Sequence, residues 1–77
     1  KLEIDFDGAV FWNGTPIRDR GQLRELFRAA ARKPIQPEIH ITPNPVVEYG
    51  YVAIVLADAQ KEGVQRIGFK GNERYID

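Results

Sequence analysis

The sequence predicts an α+β domain, a two-layer sandwich in which two helices cover one face of a four- to five-stranded mixed sheet. Three observations lead to this fold class. Residues 1–6 alternate between apolar and charged side chains, residues 46–63 carry apolar side chains at helical spacing, and residues 64–70 return to a period of two. The predicted order is β-β-α-β-α-β, with a possible extra strand at residues 73–77. Because crossovers between parallel strands are right-handed, both helices should lie on one side of the sheet.

The length and composition favour one small domain that associates with another chain. A domain of 77 residues hides only roughly 60% of its unfolded surface on folding, and this chain has no cysteine that could add a disulfide. We therefore expect residues 1–77 to form a single domain and a homodimer. Eleven basic and eleven acidic residues cancel, so the charge gives no reason to expect nucleic acid as a partner.

The first two strands are predicted to form a hairpin. The apolar face of the first strand consists of Leu2, Ile4 and Phe6. Asp7-Gly8 is a strong signal for a two-residue type I′ turn. Such a turn places Phe11 opposite Ile4 and sends Val10 and Trp12 to the charged face, outside the core. One extra turn residue would reverse this assignment, and the sequence leaves both registers open.

A second turn and the first helix follow. Asn13-Gly14 is a turn signal, and Pro16 restricts the next segment to an edge strand or a loop. Asp19 can cap the first helix, with Gln22 completing a capping box. The predicted buried stripe of this helix is Leu23, Leu26, Phe27 and Ala30, and a row of arginines on another face is Arg20, Arg24, Arg28 and Arg32. With acidic residues nearby and no interleaved aromatic residues, we interpret this row as a solvated face.

The third strand is predicted at residues 37–42, with Ile39 and Ile41 inward and His40 outward. As the only histidine, His40 is interpreted as a surface residue. Asn44, or a residue just after it, should cap the long helix. The uncovered face of the sheet should be mostly polar, with Glu3, Asp5, Glu38, His40, Arg66 and Lys70.

The long helix has two apolar faces. Its core stripe is Val52, Val55, Leu56 and Ala59, followed by Lys61 in the last turn and Gly63 as the stop. A second set, Val47, Tyr51 and Ile54, points away from that stripe and is predicted to meet another molecule. The candidate partner or dimer contacts are Val10, Trp12, Val47, Tyr51, Ile54, Phe69 and Tyr75.

The sequence contains no nucleophile elbow, phosphate-binding loop, dinucleotide-binding glycine pattern or HExxH motif. We therefore predict no enzymatic activity and no catalytic, cofactor-binding or metal-binding residues. A small-ligand-binding or regulatory α/β module is the alternative, and it requires a deep pocket with convergent polar groups.

Over nearly all of its length the chain resembles the periplasmic domain of the ExbD/TolR family of biopolymer-transport proteins. The resemblance rests on residues 6–17, the helix that begins near Asp19, residues 38–42 and, above all, residues 46–69. In the last segment, the matching positions are Val47, Tyr49, Gly50, Val52, Gly63, Ile67 and Gly68.

The chain departs from the family pattern at three places. Pro43-Asn44 stands where relatives usually have Ala-Asp, and Glu48 stands where many have proline. Ile54 replaces a residue that is commonly polar or charged. The outer apolar set therefore looks particular to this protein.

The resemblance implies a non-enzymatic subunit of a proton-motive-force-driven complex in the bacterial inner membrane. It implies a single membrane helix that precedes Lys1, with the present domain in the periplasm. The implied partners are a second copy, an ExbB/TolQ-like membrane subunit bound through that helix, a TonB/TolA-like periplasmic protein and peptidoglycan. Two roles stay open: energising outer-membrane transport, as in a TonB system, or maintaining the envelope, as TolR does.

Overall fold

The computed structural model describes residues 1–70 and shows, within that range, one five-stranded mixed sheet and two helices. The elements are β1 (Leu2–Ile4), β2 (Val10–Trp12), β3 (Thr15–Pro16), α1 (Arg20–Ala31), β4 (Ile39–Pro43), α2 (Tyr49–Lys61) and β5 (Ile67–Phe69). The sheet order is β3-β2-β1-β4-β5. The strand β1 is antiparallel to β2 and parallel to β4, and β4 is parallel to β5. The predicted α+β class is confirmed. The strand predicted at residues 73–77 lies outside the described residues.

The hydrophobic core lies between the sheet and the two helices. Its buried members come from alternate positions of β1 and β4, from the inner faces of both helices and from the segments next to α2: Leu2, Ile4, Leu23, Phe27, Ala30, Ile39, Ile41, Val47, Val52, Val55, Ala59 and Val64. Alternate strand positions share one face, so both helices cover the same side of the sheet. The predicted stripes of both helices are confirmed, with Leu26 and Leu56 half-buried at their margins.

The turn between β1 and β2 is one residue longer than the predicted type I′ turn. The amide of Asp5 donates to the carbonyl of Ala9 at 2.8 Å, and the amide of Gly8 donates to the carbonyl of Asp5 at 3.0 Å. Residues 6–8 therefore form a three-residue loop, and Ile4 lies opposite Val10. Of the two registers that the sequence leaves open, the structure has the one with an extra turn residue, and this register turns Val10 and Trp12 toward the core.

The longer turn changes the positions of two aromatic side chains. Trp12 packs on the core, where its ring meets that of Phe27 edge to face with centroids 5.7 Å apart. Phe6, predicted on the buried face, lies in the turn and is 61% exposed. Trp12 thus has the position expected for the longer turn, and Phe6 does not have the buried position predicted for it.

The second hairpin and the first cap follow the prediction closely. Asn13 and Gly14 both have positive φ, 49° and 85°, as a two-residue type I′ turn requires. The Asp19 side chain accepts a 2.8 Å hydrogen bond from the amide of Gln22. The Gln22 side chain accepts from the amide of Arg18 rather than from Asp19, so the capping box closes one residue earlier than predicted.

The connection from β4 to α2 differs from the prediction. The amide of Asn44 donates to the carbonyl of Ile4 at 2.7 Å, and the Asn44 side chain accepts from the amide of Val46 at 3.0 Å. Asn44 thus closes a turn instead of capping the helix. The cap position of α2 is Glu48, whose side chain makes no capping hydrogen bond. As a result, Val47 precedes the helix and turns into the core.

Candidate interaction surfaces

A row of ion pairs joins the two helices. Arg20 of α1 donates two hydrogen bonds to Asp58 of α2, from Nε to Oδ2 at 3.0 Å and from Nη2 to Oδ1 at 2.7 Å. Arg24 and Arg28 each donate from Nε to Glu62 at 2.9 Å. These arginine side chains stay partly exposed, as a solvated face requires, but they also bridge the helices. Sequence reasoning missed this bridging function.

The arginines fix the charge state of both carboxylates. Hydrogen bonding from Arg20 lowers the pKa of Asp58 below its ordinary value, against the opposite effect of burial, since Asp58 is only 1% exposed. Hydrogen bonds from Arg28 and Arg24 lower the pKa of Glu62 in the same way. Both carboxylates are therefore ionised at neutral pH and anchor α2 to α1.

The sequence did contain a signal for these ion pairs. Asp58 and Glu62 are four residues apart, which places them on one face of α2. The arginine row on α1 repeats at the same interval. When two helices lie side by side on one sheet face and carry opposite charges at the same spacing, a row of ion pairs between them is expected.

The other face of the sheet carries an open groove. The register places Glu3 of β1 beside Phe11 of β2 and Thr42 of β4, so these three side chains share the uncovered face. The groove has a volume of about 470 Å³ and opens to solvent. It is lined by Glu3, Ile4, Asp5, Phe11, Gly14, Thr42, Pro43, Asn44 and Pro45. The volume is within the range of small-ligand sites, but the groove is open to solvent, whereas such sites enclose most of the ligand surface.

A histidine and a glutamate form a pair on the same face, next to β5. The Nε2 atom of His40 lies 2.8 Å from Oε1 of Glu38, and this hydrogen bond lowers the pKa of Glu38. His40 is opposite Gly68 in the ladder, and a Cβ on Gly68 would lie 3.0 Å from Oε2 of Glu38. The lack of a side chain at Gly68 thus leaves space for the pair. The outward position predicted for His40 is confirmed.

The strand β5 has one hydrogen-bonded neighbour, β4, among residues 1–70. The amide of Ile39 donates to the carbonyl of Arg66, and the amide of Lys70 donates to the carbonyl of Ile41. Since backbone groups alternate in direction along a strand, the amides and carbonyls of Ile67 and Phe69 point to the other side. Within the described residues, this edge offers main-chain donors and acceptors to a further strand.

The predicted contact residues fall into two groups. Val10 and Trp12 are half-buried and pack against the core. The outward position predicted for Val47 is wrong, because this residue is 5% exposed in the core. The 100° step of a helix does not apply to it, since α2 begins two residues later.

The other predicted contact residues remain at the surface. Tyr51, Ile54 and Phe69 are each about two-fifths exposed, at 41%, 42% and 41%. The structure brings Tyr51 and Ile54 together on the outer side of α2 and places Phe69 on β5. Tyr75 lies outside the described residues.

The ring of Tyr51 also lies directly over the first turn. A Cβ on Gly8 would lie 2.5 Å from ring atoms Cδ1 and Cε1 of Tyr51. Gly8 has a φ of 88°, a conformation that favours glycine. The N-terminal part of α2 is thus fitted closely to the β1–β2 turn through Gly8 and Tyr51.

These features define a class of protein: a small one-sided α+β domain with an open sheet face and, within residues 1–70, a β5 edge that has no further strand beside it. The comparisons identify the family. The sequence profile of the family described as biopolymer transport protein ExbD/TolR matches residues 1–73, and the chain belongs to that family. No helix within residues 1–70 combines the length and the apolar character needed to cross a bilayer.

One curated relative supports the assignment. Biopolymer transport protein exbD2 of Xanthomonas campestris pv. campestris is 34% identical over 70 residues. The match covers 90% of this chain and 52% of the relative, so the chain spans about half the length of that protein. The likeness thus extends over nearly the whole domain.

Proposed function

We propose that residues 1–77 are the single periplasmic domain of an inner-membrane subunit that uses the proton motive force for biopolymer transport. The observation that carries this proposal is the family match over residues 1–73. In this function the domain is non-enzymatic, dimerises, and engages a TonB/TolA-like protein or peptidoglycan. Its link to an ExbB/TolQ-like subunit runs through a membrane helix outside residues 1–77. The result is energised outer-membrane transport or maintenance of the envelope.

The edge of β5 is the proposed place where an extended segment of another chain adds to the sheet. Ile67 and Phe69 direct main-chain groups away from β4, and Phe69 is 41% exposed. Main-chain pairing at such an edge supplies affinity, while neighbouring side chains select the partner. Either the second protomer or a TonB-like peptide fits this mode.

Substitution of Phe69 tests the strand edge. Phe69→Pro removes an amide that points away from β4, and proline is tolerated at such a position. Phe69→Val is the matched control, because it also removes the aromatic ring but keeps the amide. We expect the proline variant alone to lose binding of a TonB-like periplasmic peptide, measured by fluorescence anisotropy. Equal binding by both variants would rule out strand addition at this edge.

The exposed pair on α2 is the second proposed contact. Ile54→Lys should weaken self-association or partner binding roughly tenfold, since it places a charge in an apolar contact. Gln60→Lys, at an exposed position on the same helix, is the charge-matched control. Sedimentation at several concentrations measures self-association, and pull-downs on peptidoglycan and on the peptide measure partner binding. Unchanged binding in all three assays would exclude Ile54 from the interface.

A further inference from the structure

The groove on the open sheet face has the composition of a docking site for a charged chain segment. Its lining combines two carboxylates, Glu3 and Asp5, with apolar surface from Phe11 and two prolines. The described part of its lining contains no lysine, arginine or histidine. The groove therefore carries a negative charge beside an apolar wall.

The two carboxylates lie on the same face, and a hydrogen bond orients that of Asp5. Glu3 lies in β1, and Asp5 follows the strand by one residue, where its amide still pairs with the carbonyl of Ala9, so the two side chains share a face with a spacing of roughly 7 Å. The amide of Phe6 donates to Oδ1 of Asp5 at 2.8 Å, which orients that carboxylate. Beside them, Asn44 is fixed by its main-chain bond to Ile4, and Thr42 contributes a hydroxyl.

Within residues 1–70, little neutralises this charge. Of the ion pairs among residues 1–70, one involves Glu3, with Nζ of Lys1 at 3.9 Å, and both side chains are about half exposed or more. None of these ion pairs involves Asp5. The basic residues Arg66 and Lys70 flank β5, and β4 separates them from β1. Asp58 and Glu62, by contrast, are each bound by arginine side chains at 2.7–2.9 Å.

We propose that this groove binds an extended polypeptide segment of a partner protein that carries lysine or arginine at alternate positions. In an extended chain, alternate side chains point the same way and repeat at roughly 7 Å, which matches the spacing of Glu3 and Asp5. The aliphatic stems of the cations lie along Phe11 and Pro45 while their charged ends meet the carboxylates. This surface is separate from the β5 edge, so the two binding modes succeed or fail independently.

A peptide titration of the 77-residue chain tests the proposal. The probe is a fluorescent Lys-Thr-Lys-Thr-Lys peptide, with Lys-Lys-Lys-Thr-Thr as the control of equal composition and Gln-Thr-Gln-Thr-Gln as the neutral control. We expect the alternating lysine peptide to bind tightest and to shift the amide NMR signals of residues 3, 5, 11 and 42. Equal affinity for the two lysine peptides, or shifts confined to residues 67–69, would overturn the proposal.

Substitutions in the groove complete the test. Glu3→Gln and Asp5→Asn should each weaken binding two- to fivefold, and the double variant should weaken it roughly tenfold. The charge-matched control is Glu25→Gln with Glu48→Gln, since both residues are exposed and lie outside the groove. An equal loss in the control variant would show binding through net charge and would contradict the proposal. So would spermidine binding as tightly as the peptide, because that result would indicate a site for small cations.

Discussion

Acidic side chains differ in burial and in ion pairing between the two sides of the sheet. On the helix-covered side, Asp58 and Glu62 are nearly buried and bound by arginines of the facing helix. On the open side, Glu3 and Asp5 line a groove that opens to solvent, and the ion-pair partner of Glu3, the ammonium of Lys1, is 3.9 Å away. Burial with arginine pairing makes a carboxylate part of the scaffold, whereas greater exposure, with one long ion pair at Glu3 and none at Asp5 among residues 1–70, leaves it available to a partner. The comparison therefore separates the residues that hold the domain together from those suited to binding.

The largest difference between the faces should appear when an aromatic ring is removed from each. Phe27→Ala on the covered side leaves a cavity in the core and should cost about 3–5 kcal/mol. A domain of this size has a margin of only about that much, so this variant should be largely unfolded. Phe11→Ala on the open side should cost about 1 kcal/mol, because Phe11 is half-buried. Urea denaturation followed by circular dichroism measures both.

A milder core variant keeps this comparison measurable. Phe27→Leu fills most of the space and should fold, with a stability between those of the wild type and the alanine variant. If Phe11→Ala destabilises the domain more than Phe27→Leu, the open face contributes more to the core than the structure shows.

A medium effect is expected from neutralising one carboxylate on each face. Asp58→Asn keeps the shape but loses the charge-assisted pairing with Arg20, which should cost about 1–2 kcal/mol after allowance for the exposed guanidinium. Asp5→Asn should change stability by less than about 0.5 kcal/mol, because asparagine can still accept from the amide of Phe6. Thermal unfolding of both variants at pH 7 makes the comparison. Equal losses would show that pairing does not distinguish the two faces.

The smallest expected effect is a pH dependence of stability that comes from paired carboxylates. Folding lowers the pKa of Asp58, Glu62 and Glu38, so the unfolded chain binds more protons as the solution is acidified. Their stabilising contribution is fully present above the ordinary carboxyl pKa of about 4 and is lost as the pH falls through the lower folded values. The urea midpoint should therefore decline below about pH 5.

Variants show which face causes that decline. Asp58→Asn combined with Glu62→Gln should flatten the pH profile, leaving the smaller part due to Glu38. Glu3→Gln combined with Asp5→Asn is the charge-matched comparison on the open face. A profile flattened by the open-face variant instead would reverse the assignment of structural and available carboxylates.

Local sequence patterns predicted most of the secondary structure because each signal depends on neighbouring residues. The positive φ values at Asn13 and Gly14, and the capping of α1 by Asp19, follow directly from residue type. The position of Trp12 does not, because it depends on whether a turn has two or three residues. The sequence of that turn allows both lengths, and packing of Trp12 on Phe27 fits only the longer one.

The candidate surfaces were harder to predict, for a related reason. The helical period predicts Val47 on the outer face only if the helix extends back to that residue, but the turn closed by Asn44 lies there instead. The row of ion pairs and the groove each bring together residues that are distant in the sequence, so the pattern of a single segment cannot predict either of them. Tyr51 and Ile54 were placed correctly at the surface because they lie within regular helix.

The close fit of Gly8 beneath Tyr51 limits the order in which the two positions can change during evolution. A side chain at position 8 would collide with the Tyr51 ring unless the ring moved, so a change at position 8 is easier after position 51 has acquired a smaller residue. Even then, the positive φ at Gly8 disfavours any residue with a side chain, so a substitution of Gly8 remains costly after position 51 has changed. The β1–β2 turn and the start of α2 are thus expected to vary together among related sequences, as an epistatic pair that spans 43 positions of the chain, from residue 8 to residue 51.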